Sequence, residues 1–246
     1  MSDHTENELS EGAMGFFEHF EELRMRLFRS LIALVITTII ASIFTFDIIE
    51  YLSEPYEGDL LILNPTGSIV MYFRVAVMTG AIVAIPFITY QLLMFVMPGL
   101  TSGERKWVLM SLPATTLFFL AGVAFAWFIM VPNAFRFLQD FGEDVFLDQW
   151  TAQEYFAFLT SILFWIGVSF EMPVVFFVLA RLGFVGPKFL IENWRIAVVI
   201  ITIVAAVITP TVDPFNMLLV MAPLLVLYAL SIALVTIAAR PRQIES

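Results

Sequence analysis

Cysteine is absent from the 246 residues, which excludes disulfides, thiolate nucleophiles, iron–sulfur clusters and Cys-ligated zinc. Histidine occurs only at His4 and His19, both ahead of the first apolar run, so no His-based catalytic dyad or metal site can form within a membrane span. Charge is scarce as well, at 14% of the chain against roughly 25% in soluble domains. The scarcer sign is positive. Twelve Lys and Arg face 22 Asp and Glu, for a net charge of −10, and that leaves no basic surface to neutralise nucleic-acid phosphates. A Ser–His pair, an aspartate pair or a metal motif inside the spans would be needed for an intramembrane protease, and none is present. No catalytic residue is assigned.

Apolar residues supply what charge does not. They make up 60% of the chain with mean hydropathy +0.92, which predicts an all-α polytopic membrane protein. About 20 apolar residues cross a 30 Å hydrocarbon core as a helix, and six runs qualify as spans: Ser30–Phe46, Ile69–Met97, Trp107–Val131, Tyr155–Leu182, Ile196–Thr209 and Phe215–Ala239. The fifth and sixth are expected to be short. The fifth, with 14 residues, covers only ~21 Å and needs local thinning or protein cover. Only Pro210 to Pro214 separate it from the sixth, which predicts a tight helical hairpin.

Lys and Arg collect on the cytoplasmic side of short loops. Ten of the twelve bases (Arg24, Arg26, Arg29, Arg105, Lys106, Arg181, Lys188, Arg195, Arg240 and Arg242) fall on one side, whereas the other holds Asp47, Glu50, Glu54, Glu57 and Asp59, then Asp140, Glu143, Asp144, Asp148 and Glu154. Both termini are therefore expected in the cytoplasm. Phe16, Phe20, Leu23 and Leu27 share one helical stripe, which predicts an amphipathic helix in the interface leading into the first span. Residues 1–15 read as a disordered acidic tail, 16–240 as a single six-span domain and 241–246 as a cytoplasmic tail. No small-residue cleavage site follows the first span, so no cleavable leader is expected.

Five blocks in order then carry a resemblance. His19-Phe20-Glu21-Glu22-Leu23-Arg24-Met25-Arg26 resembles the HLxELRxR opening of the TatC family, the multispanning receptor subunits of twin-arginine protein translocases. Tyr90-Gln91, Phe95, Pro98, Leu100 and Glu104-Arg105 are similar to its YQ…FxxPxLxxxER segment. Ser169 to Pro173 resembles SFExP, Thr209-Pro210 with Asp213 the TP..D loop, and Pro223 with Leu227-Tyr228 the sixth span. Phe20 stands where the family has Leu, and Ala229 where many members have Glu.

The resemblance implies a receptor for signal peptides with paired arginines, which helps export folded proteins across the cytoplasmic membrane on the proton gradient. It implies no cofactor. Its partners would be those signal peptides, TatA-type and TatB-type single-span subunits and the bilayer, in homo- and hetero-oligomers. The signal-binding region it implies comprises Glu22, Arg24, Phe95, Glu104 and Arg105, with Pro55, Thr209, Pro210 and Asp213 as loop positions. The chemistry agrees, because a carboxylate reads the planar guanidinium through two parallel hydrogen bonds that Lys cannot make. Two such contacts supply roughly 3–6 kcal/mol, binding between several millimolar and tens of micromolar in order of magnitude, so the apolar part of the signal must add the rest. Taken alone, Glu22 reads as an i,i+4 partner of Arg26 and Glu104 as a loop acid beside Arg105 or Lys106. Arg24 reads as orienting these acids or meeting lipid phosphate.

Glu171 is the only acid well inside a span. Ionised there it costs about 2.5–3.5 kcal/mol, and protonating it at pH 7 costs about 3.7 kcal/mol, so charge alone does not decide its state. It should face a polar groove or the protein, helped by Pro173. The resemblance implies a place for this acid on a concave face of the helix array, where it can distort the bilayer or meet a polar group of a partner's single span. A proton-coupled small-molecule transporter would also use such a Glu, but it predicts matching broken helices in two repeats; Pro86 interrupts the second span, and the fifth has neither Pro nor Gly.

Overall fold

The computed structural model describes residues 3–56, 58, 60–97, 100, 102–140, 150–209 and 214–238, without the side chains of 3–18 and 102–104. It is a helical assembly: α1 Asp3–Ile43, α2 Thr45–Ser53, α3 Gly67–Val96, α4 Ser102–Phe125, a π-helical turn Ala126–Met130, α5 Val131–Asp140, α6 Ala152–Phe170, α7 Met172–Arg181, α8 Pro187–Glu192, α9 Trp194–Ile208 and α10 Pro214–Ala238. Among the described residues, five stretches are long and apolar enough to cross a membrane, and α9 is a further, shorter apolar helix. The expected six-helix, all-α plan is therefore observed.

Individual spans follow from local chemistry. The 30 residues of α3 extend ~45 Å, longer than the hydrocarbon, so α3 tilts or projects beyond it. The third span runs from Arg105 to Asp140 and widens into the π turn just before Pro132, whose missing N–H removes one rung of the ladder. The fourth breaks at Glu171, between α6 and α7, where Pro173 removes another. With 15 residues, α9 is short as expected. The sixth span is not: α10 runs 25 residues, because Pro214 starts it in a tolerated first-turn position and no charge interrupts it before Arg240. α9 and α10 pack on each other, and the connecting residues 210–213 lie outside the described residues. The backbone of α1 is helical back to Asp3, without a break at residue 16.

The core is organised around α6, with Tyr155, Phe156, Leu159, Ile162 and Ile166 fully buried against Val75, Val131 and Phe135. At the acid-rich end, Phe135 stacks on Tyr155 at 4.7 Å and the Tyr155 hydroxyl donates to the Leu52 carbonyl at 2.7 Å. There Leu61 pairs with Thr151 as an isolated bridge, and Pro55 sits half-buried in the turn after α2. At the base-rich end, Met97, Val108 and Val178 bring the end of α3, the start of α4 and the end of α7 together. α1 packs chiefly on α3 and leaves Ile36, Ile39, Ile40 and Ile43 exposed, as a lipid-facing helix must. Phe20, Leu23 and Leu27 of the predicted stripe are likewise exposed.

Candidate functional site

Three side chains from the middle of α1, just ahead of its apolar run, meet two from the end of α3. Arg26 donates Nε to Glu22 Oε1 at 3.0 Å and also reaches that oxygen with Nη2. Its Nη1 points across to Gln91 Oε1 at 3.4 Å. One turn earlier, the His19 ring stacks on Phe95 with centroids 4.3 Å apart, and His19 Nδ1 stands 4.0 Å from Glu22 Oε2. Helical spacing explains the grouping, since positions 19, 22 and 26 follow i,i+3 and i,i+4 steps on one face, as do 91 and 95.

Among the residues singled out from sequence, this brings Glu22 and Phe95 together through His19. Both contacts to Arg26 fall on Oε1, and the second carboxylate oxygen, Oε2, lies 4.0 Å from His19 Nδ1. Arg24 lies on another face of α1 and borders a groove with Glu21, Met25 and Phe28; the arginine that holds Glu22 is Arg26. Arg105 is exposed on α4 and donates Nε to Met97 Sδ at 3.2 Å, which puts it at the same base-rich end. Glu104 also lies on α4, with its side chain outside the described residues. His19 and Gln91 were not assigned roles from sequence, although both stand inside the family blocks. What signals them is their register, four residues from Phe95 for Gln91 and three from Glu22 for His19.

Glu171 is half-buried at the hinge of the fourth span. Its backbone N–H bonds to the Val168 carbonyl at 3.1 Å and its own carbonyl accepts from Val174 and Val175, so the helix restarts at Met172 with Pro173 in its first turn. Thr89 of α3, itself buried, donates Oγ1 to Glu171 Oε1 at 3.3 Å. The intramembrane acid thus faces a hydroxyl on a neighbouring helix, as a polar group within hydrocarbon must. Thr209, buried at the end of α9, turns its hydroxyl back to the Ala205 carbonyl at 2.8 Å. Pro210 and Asp213 lie outside the described residues.

Comparison with known proteins agrees with this layout. The family model described as Sec-independent protein translocase protein (TatC) matches residues 18–223. The Sec-independent protein translocase protein TatC of Carboxydothermus hydrogenoformans is 37% identical over 222 residues, 89% of this chain and 91% of that protein. Its namesake from Deinococcus radiodurans is 35% identical over 227 residues, 89% and 84% of the two chains. A crystal structure of the twin arginine translocase receptor TatC superposes with TM-score 0.83 at 34% identity, covering 90% of this chain and 100% of that one. A chain with this order of spans and this degree of likeness along nearly its whole length belongs to the TatC family of Sec-independent protein translocases.

Proposed function

We propose that this chain is the twin-arginine signal-peptide receptor and core subunit of a translocase that exports folded proteins across the cytoplasmic membrane on the proton gradient. It acts without catalysis, with its base-rich end and both termini in the cytoplasm and with single-span TatA-type and TatB-type subunits as partners. The observation that carries this is the grouping of a carboxylate and an aromatic at the base-rich end: Arg26 bonds only Oε1 of Glu22, Oε2 stands beside His19, and the His19 ring stacks on Phe95. An incoming guanidinium finds an acceptor there, the adjoining aromatic surface takes apolar signal residues, and Glu104 supplies the second acid. The direct test is photocrosslinking from position 95 to a signal peptide bearing Arg-Arg or Lys-Lys. Strong labelling by Arg-Arg and weak labelling by Lys-Lys is expected; equal labelling refutes arginine reading.

Glu171 belongs to a second surface, where a polar group of a partner span meets the α6–α7 hinge. Such a site needs a hydrogen-bonding group more than a titrating one. Glu171→Gln should therefore retain substantial export, while Glu171→Ala should lose more, because Thr89 and the partner both lose their mate, at roughly 1–2 kcal/mol or less. A proton-coupled transporter predicts that Gln is as damaging as Ala. Measuring export and partner crosslinking in both variants decides between them, and complete loss in both would reject the partner-site reading.

A further inference from the structure

Arg74 stands seven residues beyond the acid-rich start of α3 at Gly67, roughly 10 Å along the axis. It is exposed and has no ion-pair partner among the described residues. Beside it a groove of about 500 Å³ runs between α3 and α6, where Val70, Phe73, Val77 and Ala81 face Phe164 and Trp165. We propose that this groove seats an acyl chain of a phospholipid from the leaflet at the acid-rich end, with the lipid phosphodiester held by the Arg74 guanidinium.

Three observations single out a lipid as the occupant. Along α3 the lining runs from Val70 to Ala81, about 16 Å, which is one leaflet of a 30 Å core; a partner helix would need a seat across both. The charge is complementary, since a planar guanidinium matches a phosphodiester in a bidentate geometry and an arginine this far inside the span reaches back toward the headgroups. The rest of the lining is apolar or neutral, with Thr160 already committed to the Phe156 carbonyl of its own helix at 2.5 Å. The groove thus offers one cation about 6 Å in from its headgroup end, whose side chain reaches back toward the headgroups, and hydrocarbon below it. Net charge favours an anionic headgroup such as phosphatidylglycerol over a zwitterionic one, whose own ammonium offsets the phosphate.

The test uses the purified full chain in detergent, with Trp165 as the only tryptophan after the other four, Trp107, Trp127, Trp150 and Trp194, are replaced by Phe. Phosphatidylglycerol with brominated acyl chains should quench Trp165 with about tenfold higher affinity than brominated phosphatidylcholine. R74Q should remove that preference and R74K should retain part of it. Native mass spectrometry of the chain with all its tryptophans, comparing phosphatidylglycerol retained by wild type and R74Q, gives the same reading without the Phe replacements. Equal affinity for the two lipids, or unchanged retention by R74Q, overturns the proposal. Displacement by millimolar inorganic phosphate would reassign the site to a free anion, and displacement by a single-span peptide carrying a carboxylate would assign it to a protein helix; either result also overturns it. Labelling of an Arg-Arg signal from position 95 should be unchanged in R74Q, because the two sites lie at opposite ends of α3.

Discussion

Replacing Glu22 and Glu104 together by Ala should abolish export of a folded reporter carrying an Arg-Arg signal while leaving the receptor inserted in the membrane. Each lost charge-assisted contact is worth about 1.5–3 kcal/mol, so the pair accounts for about two to four orders of magnitude in binding. Glu22→Ala has a second effect. It frees Arg26, whose remaining polar contact is Gln91 at 3.4 Å, and places an unpaired cation where the signal arginines must dock. Arg26→Gln separates the two effects: it removes the internal rival for Glu22 and should leave Arg-Arg binding intact or strengthened. In the double variant a Lys-Lys signal should be no worse than Arg-Arg, since the geometry that told them apart is gone. Normal export by the double variant would show that neither acid reads the signal.

Gly80→Leu is expected to disrupt the fold more than any other single change considered. A Cβ at position 80 would stand 2.5 Å from Thr38 Oγ1 and 2.6 and 2.7 Å from the Thr38 Cα and N. The hydroxyl can rotate away; the backbone of α1 cannot. The two helices must separate, and the Thr37 hydroxyl loses its 2.8 Å bond to the Gly80 carbonyl. Overpacking costs about 1–3 kcal/mol for modest insertions, and Leu adds bulk well beyond the methyl of Ala, so Gly80→Ala should be partly destabilised and Gly80→Leu largely misassembled. Because the chain contains no native cysteine, a Cys pair at positions 19 and 95 reports the α1–α3 contact without background. Its crosslinking should fall in Gly80→Ala and vanish in Gly80→Leu, alongside unfolding at lower SDS. Gly186→Ala, with nothing within 4 Å of the added atom, serves as a control expected within about 0.5 kcal/mol of wild type. Full crosslinking in Gly80→Leu would mean that the close approach is dispensable.

The α1–α3 contact matters for recognition as well as stability, because the candidate site exists only while that contact holds. Glu22 and His19 ride on α1, Gln91 and Phe95 on α3, and the packing at Gly80 lies between the site and the acid-rich end. A loosened pair would separate the carboxylate from its aromatic neighbour without altering either residue. Stability and signal binding should therefore decline together at Gly80, whereas at Glu104 binding should decline alone.

The amino-acid order by itself determined the number of spans, the brevity of the fifth and the division of charge between the two ends. These depend on unbroken apolar runs and on where bases interrupt them, both local properties that hydrocarbon enforces residue by residue. It also pointed to a loosened backbone near Glu171, since Pro173 lacks the N–H that a helix requires there. Its expectation of a short sixth span did not hold, because the helix continues through Pro223 from Pro214 to Ala238. Tertiary structure alone decided which side chains meet. Arg26 reaches Gln91 across 65 positions and Thr89 reaches Glu171 across 82, and such pairings depend on how each helix is rotated and how closely two axes approach. Those quantities are set by small residues at crossings, Gly80 against Thr38 and Gly122 against Gly167, through packing summed over whole helices. A pattern read along one chain segment contains no information about the rotation of another, so the link from Glu22 through His19 to Phe95 and the groove beside Arg74 became visible only once the helices were packed.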